Sequence, residues 1–100
     1  SEIESEIVKL VGNNLIEIIL FGSIAKGRDT INSDIDLCVL INKDDQKIRQ
    51  NIKKVAFNNK FDKEIQIHVF TSEEFINGKK SKNQLIENIL KDGLSLKIGR

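Results

Sequence analysis

The stretch FGSIAKGRDTINSDIDLCVL, from Phe21 to Leu40, joins an apolar run to a glycine-flanked turn and returns through a polar loop into a second apolar run. The second run opens with Asp34 and Asp36. Side chains two residues apart on a strand point to the same face, so the two carboxylates should converge. Adjacent carboxylates repel each other unless a cation lies between them. Mg²⁺ is the natural cation, because it takes oxygen ligands from one or two carboxylates and from substrate phosphates.

Gly22 and Ser23 supply the other half of this expected site. A glycine turn that leads into a helix start leaves backbone N–H groups free to hold a phosphate. The pattern predicts a short helix over Ser23–Lys26 that Gly27 ends. Lys26 itself could contact phosphate or simply be solvated. We therefore predict Gly22, Ser23 and Lys26 as nucleotide-binding residues, beside a metal held by the two aspartates.

Length, composition and charge narrow the class of protein. The chain has 100 residues, of which 39% are hydrophobic and 31% charged, and this is typical of one globular domain. The formal net charge of +1 gives no bulk attraction to nucleic acid or to an anionic membrane. The single cysteine, Cys38, lies in an apolar run and is expected to be a buried thiol. Without a signal-like or membrane-length apolar run, a cytoplasmic location is expected.

Hydrophobic periodicity predicts an α/β fold, namely a small mixed sheet with helices packed against it. The predicted strands are, in order, Leu15–Phe21, Asp34–Ile41 and Glu64–Phe70, with Leu94–Ile98 as a further strand on an edge. Four helices are predicted: a first that ends before Gly12, a second that starts at Asp44, and two that follow capping boxes at Thr71–Glu74 and Ser81–Gln84. Loops are predicted at Arg28–Ser33 and Asn77–Lys80.

The spacing of Gly22-Ser23, ten residues and then Asp34-x-Asp36 resembles the nucleotidyltransferase superfamily typified by DNA polymerase beta. The short length and the order of elements are more closely similar to the minimal nucleotidyltransferases, which in many microbes are antitoxins paired with HEPN ribonuclease toxins. The resemblance implies one minimal nucleotidyltransferase domain over residues 1–100. It also implies Mg²⁺-dependent transfer of a nucleoside monophosphate; in antitoxin relatives the donor is ATP and the acceptor is a tyrosine of the toxin.

One position departs from that family. Its members carry a third carboxylate on the neighbouring strand, where this chain has Ile65-Gln66-Ile67. A glutamine carbonyl can touch a metal, but it carries no charge and takes no proton from an attacking hydroxyl. Losing a general base typically costs about 10²–10⁴-fold in rate. Glu64 lies about 7 Å away on the same strand face and could substitute. The expected catalytic set is therefore Asp34, Asp36, Glu64 and Gln66.

Two functional hypotheses follow from this departure. The chain is either an active nucleotidyltransferase, or a nucleotide-binding antitoxin subunit that acts by contact and transfers little or nothing. Nucleic-acid binding is disfavoured by the near-neutral charge. The acceptor is expected on another chain, a HEPN-type partner, docked on apolar positions at Phe75, Ile76 and the edge formed by Leu94, Leu96 and Ile98.

Simpler interpretations stand beside these assignments. Asp34 and Asp36 could be a solvent-facing pair at a strand edge, and Ser23 could act only as a helix cap. Arg28 could contact phosphate or be solvated. His68 is expected to be a structural residue or part of the wall of the site, since no other histidine accompanies it in a metal-ligand set.

Overall fold

The computed structural model describes residues 2–27, 34–59 and 64–99. Within them the helices and strands are, in chain order, α1 (Glu2–Val11), β1 (Leu15–Phe21), β2 (Ile35–Ile41), α2 (Gln46–Phe57), β3 (Ile65–Thr71), α3 (Ser72–Lys80), α4 (Gln84–Asp92) and β4 (Leu94–Ile98). These strands form one mixed sheet in the order β3-β2-β1-β4. β1 pairs antiparallel with β2 and β4, whereas β2 and β3 are parallel. The predicted α/β fold, the strand order and the edge position of the last strand are confirmed.

The two faces of the sheet carry separate apolar layers, because successive side chains of a strand point to opposite faces. The layer under α1 and α2 is built from residues that include Ile3, Ile7, Ile18, Val39, Ile41 and Ile52. The layer under α3 and α4 contains Ile19, Phe21, Cys38, Leu40 and Ile89. Along β2, Asp36 continues the second face beyond Cys38 and Leu40. The second face is therefore apolar at one end and polar at the other.

Asn14 connects the far ends of β1 and β2. Its amide nitrogen donates to the Lys43 carbonyl and its amide oxygen accepts the Lys43 N–H, both over 2.8 Å. The Asn14 carbonyl accepts the Asn42 N–H over 2.8 Å. Gly12, with a φ of +63°, turns the chain from α1 towards this point. The register between the two strands shifts between Leu15 and Glu17, and the shifted register places Phe21 opposite Asp36 at the other end of the strands.

The helix starts differ from the sequence prediction in two places. Asp45 is the residue that caps α2, since its carboxylate accepts the Ile48 N–H over 3.1 Å, and the helix begins at Gln46 rather than Asp44. The predicted box at Ser81–Gln84 is wrong, because the cap of α4 is Asn83, which accepts the Ile86 N–H over 3.1 Å. Asparagine and aspartate both cap helices well, so a local pattern does not decide between neighbouring candidates.

The predicted loop at Asn77–Lys80 is also wrong, because α3 continues through Gly78 to Lys80. A side chain at Gly78 would overlap the end of Ile86, which lies on α4. The glycine therefore serves close packing between two helices and does not break the helix. The capping box at Thr71 and Glu74 is confirmed, with both of its hydrogen bonds present.

The predicted loop Arg28–Ser33, and with it the suggested phosphate contact of Arg28, lies outside the described residues. Within the described ranges, none of the helices has the length and apolar character needed to cross a membrane.

Candidate functional site

β2 and β3 bring three polar side chains together at the polar end of the second face. Asp36 on β2 is in parallel register with Gln66 on β3. The Gln66 side-chain amide donates to a carboxylate oxygen of Asp34 over 3.2 Å. Asp34 precedes β2 by one residue, and the Ile35 N–H bonds to the Glu64 carbonyl over 2.9 Å, which fixes where the two strands start to pair. The structure thus brings Asp34, Asp36 and Gln66 together.

Gly22 lies directly against Asp36. Its φ is +81°, a conformation that glycine adopts without strain, and a β-carbon at this position would overlap the Asp36 side chain. Two independent requirements, the backbone angle and the close approach, therefore call for glycine here. The consequence is that the turn carrying Ser23 starts beside a carboxylate of the site.

The segment after Gly22 is a single turn rather than the predicted helix Ser23–Lys26. The Lys26 N–H bonds to the Gly22 carbonyl over 3.2 Å, and the Gly27 N–H bonds to the Ile24 carbonyl over 3.1 Å. Gly27 then takes a φ of +71°, which is outside the helical region and is typical of glycine at the end of a helical turn. The first N–H groups of such a turn have no partner within it, so they remain available to an anion.

Lys26, predicted as a nucleotide contact, has its ammonium 3.2 Å from a carboxylate oxygen of Asp92 at the end of α4. Asp92 is not among the site residues predicted from the sequence. No local motif surrounds it. The one available signal is that an acidic residue at a helix C-terminus is unfavourable for the helix dipole and therefore suggests a nearby cation.

The pKa of Asp36 is shifted by burial and by two neighbouring side chains. Burial raises the pKa of Asp36 above its ordinary value, and the neighbouring charge of Asp34 raises it further, while His68 acts in the opposite direction. A divalent cation between the two carboxylates would relieve both the burial cost and the repulsion.

His68 and Cys38 form the wall next to the carboxylates. The half-buried His68 ring lies 5.7 Å from the Phe21 ring, measured between centroids, at an interplanar angle of 50°. Cys38 is fully buried, and burial raises the pKa of its thiol to about 12, so it stays neutral at physiological pH. The expectation that Cys38 is a buried packing residue is confirmed.

Glu64, the predicted substitute for the missing carboxylate, is exposed immediately before β3. It lines a shallow cleft beside α2 together with Lys53 and Asn59. Its backbone carbonyl accepts the Ile35 N–H, where the pairing of β2 and β3 begins. The contact to Asp34 is made by Gln66.

The donor set fits a metal ion that arrives with a nucleotide. In the described part of the chain, no group of three or more His, Cys, Asp or Glu side chains could hold a metal ion. Asp34 and Asp36 provide two carboxylates, and the Gln66 amide could turn its oxygen towards them. Mg²⁺ is usually held by one or two carboxylates and completes its shell with phosphate oxygens and water. The two aspartates meet that requirement.

The comparisons with known proteins agree with this geometry. The family model described as a nucleotidyltransferase domain matches residues 1–94. The sheet with its flanking helices, the glycine turn and the paired aspartates define the same class of protein. The chain belongs to the nucleotidyltransferase domain family. A search of curated proteins gave no match.

Solved structures with the same fold include toxin–antitoxin complexes. One, a toxin–antitoxin with AMP-PNP, has a TM-score of 0.65 and 23% identity, covering 99% of this chain and 73% of the other. A mutant MntA–HpeT toxin–antitoxin has a TM-score of 0.63 and 22% identity, covering 97% and 71%. A tri-AMPylated Shewanella oneidensis HEPN toxin in complex with an MNT antitoxin has a TM-score of 0.54 and 25% identity, covering 99% and 71%. These neighbours share the fold of this chain.

Proposed function

We propose that this chain is an antitoxin that binds Mg²⁺ and ATP and transfers AMP to a HEPN-type partner protein. The observation that carries the proposal is the contact between Gly22 and Asp36, which joins a phosphate-binding turn to a pair of carboxylates. The printed descriptions of the structural neighbours, one with AMP-PNP and one with an AMPylated HEPN toxin, support the choice of nucleotide and partner.

Each residue of the proposed site has a physical task. Asp34 and Asp36 hold the metal, while Gly22 and Ser23 receive the terminal phosphates on free backbone N–H groups. Lys26 belongs to the same turn. A magnesium ion held by these carboxylates would supply charge neutralisation and orientation for the phosphate groups. The chain itself contributes placement: the register of β1 and β2 sets the distance between the turn and the carboxylates.

The hydrogen bond between Gln66 and Asp34 supports a second candidate, an antitoxin that binds nucleotide but acts by contact. A carboxylate at position 66 would repel Asp34 and thereby favour a second cation. The uncharged amide instead donates a hydrogen bond to Asp34. A second metal that activates the acceptor hydroxyl is therefore disfavoured, and transfer should be slow unless Glu64 assists.

The experiment that separates the two candidates incubates the chain with its HEPN partner, Mg²⁺ and ATP labelled at the α-phosphate. Label on the partner indicates AMP transfer, and the same reaction with γ-labelled ATP should leave none. A contact antitoxin would instead suppress the ribonuclease without label, and would do so equally well with α,β-methylene-ATP, whose α–β linkage cannot be cleaved to release AMP. A chain that binds no nucleotide and leaves the toxin active contradicts both candidates.

Restoring the acid by Gln66→Asp should raise the rate of AMP transfer by roughly 10–10³-fold, because it supplies the charge for the second metal and a proton acceptor. Nucleotide affinity should change little, since Asp34 and Asp36 hold the metal that accompanies the triphosphate. Gln50→Asp, at an exposed position of α2, is the matched control and should leave the rate unchanged. Glu64→Ala tests the substitute: it should abolish residual transfer if Glu64 assists. A wild-type rate equal to that of Gln66→Asp would contradict this account of β3.

A further inference from the structure

An ion pair connects the turn of the proposed nucleotide site to a helix that is distant in the sequence. The Lys26 ammonium lies 3.2 Å from the Asp92 carboxylate, and the Asp92 side chain is 17% exposed while that of Lys26 is 39% exposed. Exposed ion pairs contribute little to stability. This pair differs because its acidic member is mostly buried.

Asp92 is held on a rigid part of the molecule. It is the last residue of α4, and the Gly93 N–H closes the helix by bonding to the Ile89 carbonyl over 2.9 Å. A β-carbon at Gly93 would overlap both that carbonyl and Ile19 of β1, so the end of α4 packs tightly on the sheet. Because the C-terminus of a helix carries partial negative charge, a buried carboxylate there requires a cation. Lys26 provides it.

Backbone hydrogen bonds within the turn from Gly22 to Gly27 are few in the part of the chain that the structure describes. The described backbone bonds within it are those of the Lys26 and Gly27 N–H groups, over 3.2 and 3.1 Å. Both close the far end of the turn, next to Lys26. The ion pair therefore acts on this far end of the turn. The position of that end sets the direction of the N–H groups near Ser23.

We propose that Asp92 is a positioning residue: through Lys26 it holds the Gly22–Gly27 turn in the conformation that receives the triphosphate. The role of the turn in binding nucleotide rests on the proposed function, whereas its anchoring by Asp92 does not. The opposing possibility is that Lys26 leaves Asp92 and contacts the phosphates directly. The two possibilities predict opposite effects of removing the Asp92 charge.

The test compares Asp92→Asn, Lys26→Met and the reversed pair Lys26→Asp/Asp92→Lys for Mg²⁺–ATP affinity by calorimetry. Anchoring predicts that each single variant weakens binding by roughly 3- to 10-fold and that the reversed pair regains most of the loss. Direct phosphate contact predicts that Asp92→Asn binds more tightly, because it frees the ammonium, and that the reversed pair binds worst. Glu87→Gln, which removes an exposed charge from the same helix, is the control.

A second measurement needs no nucleotide. Amide hydrogen exchange of Lys26 and Gly27 in the free protein should become roughly 3- to 10-fold faster in Asp92→Asn and return towards the wild-type rate in the reversed pair. Unchanged exchange at both amides would overturn the anchoring role, as would tighter ATP binding by Asp92→Asn. If the wild type binds no ATP, the proposed function fails, and the exchange rates still decide whether Asp92 anchors the turn.

Discussion

At the scale of single residues, folding makes the ionised form of the Asp36 carboxylate less favourable than it is in the unfolded chain. Asp36 is partly buried beside Asp34, and its raised pKa means that folding favours its protonated form. Such a group adds stability at pH values below its unfolded pKa of about 3.8, and loses that contribution as the pH rises through the folded pKa. At neutral pH the ionised carboxylate therefore costs stability, which a bound cation would return.

Replacing this carboxylate should separate stability from function. Asp36→Asn should raise the metal-free melting temperature by roughly 1–3 °C, because it removes the desolvated charge, and should abolish Mg²⁺–ATP binding. The gain should shrink as the pH is lowered towards 3.8, where the wild-type carboxylate is increasingly protonated. Asp45→Asn is the matched control, since asparagine caps a helix as well as aspartate does. A lower melting temperature for Asp36→Asn would contradict this reading of the site.

Local sequence patterns predict the residues of the site around Gly22 and Asp36, whereas Gln66 on β3 was predicted through the family resemblance. The spacing of Gly22 and Asp36 indicates their association, because the turn and the two strands are continuous in the chain. The ion pair of Lys26 with Asp92 leaves no comparable pattern, since it depends on how α4 packs against β1. From the sequence alone, Lys26 is therefore interpreted as a solvated lysine on a turn, and Asp92 as an ordinary residue at a helix end.

At the scale of elements, the same distinction explains which boundaries were predicted. The capping box of Thr71 and Glu74 is a contact within four residues, so the sequence alone indicates it. Gly78 was predicted to lie in a loop because glycine weakens helices, and it lies in α3 because Ile86 of another helix occupies the space of its side chain. Tertiary packing overrides local propensity there.

The side chain of Arg49 connects three elements, α2, β3 and the start of α3. Arg49 on α2 donates to the Val69 carbonyl of β3 over 3.1 Å and to the Glu74 carboxylate of α3 over 2.8 Å. It also pairs with Asp44 over 2.7 Å. The pKa of Glu74 is lowered first by the backbone N–H of Thr71 and then by Arg49. The sequence shows the capping box but not the arginine that reaches it.

The lowered pKa of Glu74 gives a pH-dependent prediction. Its contribution to stability is fully present above its ordinary pKa of 4.5 and is lost as the pH falls through the folded pKa. Glu74→Gln should therefore lower the free energy of unfolding by roughly 0.3–1 kcal/mol at pH 7, a modest figure because the side chain is half exposed. The loss should be smaller at pH 3 than at pH 7, as denaturant unfolding at the two pH values would show. Glu73→Gln, on the exposed side of the same turn, is the control and should have little effect at either pH. An equal loss for Glu74→Gln at both pH values would refute the charge explanation.

At the scale of the whole molecule, β4 is the unusual part of the sheet. It forms an edge, pairing with β1 on one side. Leu94 is 52% exposed, Leu96 39% and Ile98 71%. Edge strands with exposed apolar side chains tend to pair or aggregate unless something covers them. The predicted docking edge is thus accessible, and it lies beside the strand that leads into Gly22, so a partner bound there would be close to the nucleotide turn.

The proposed partner should therefore depend on this edge and not on the exposed side of α3. The double change Leu94→Ser/Ile98→Ser should weaken binding of the HEPN partner by roughly 10–100-fold, because each side chain would bury apolar area worth about 1.5–3 kcal/mol when fully covered, and partial exposure reduces that value. Mg²⁺–ATP affinity should stay unchanged, since neither residue is assigned to the proposed nucleotide site. Ile76→Ser, which alters an equally exposed apolar side chain on α3, is the matched control for the other predicted docking surface. Titration calorimetry with the partner would measure both variants. Weaker binding by Ile76→Ser, with full affinity retained by the β4 variant, would place the partner on α3 and leave the exposed strand without this role.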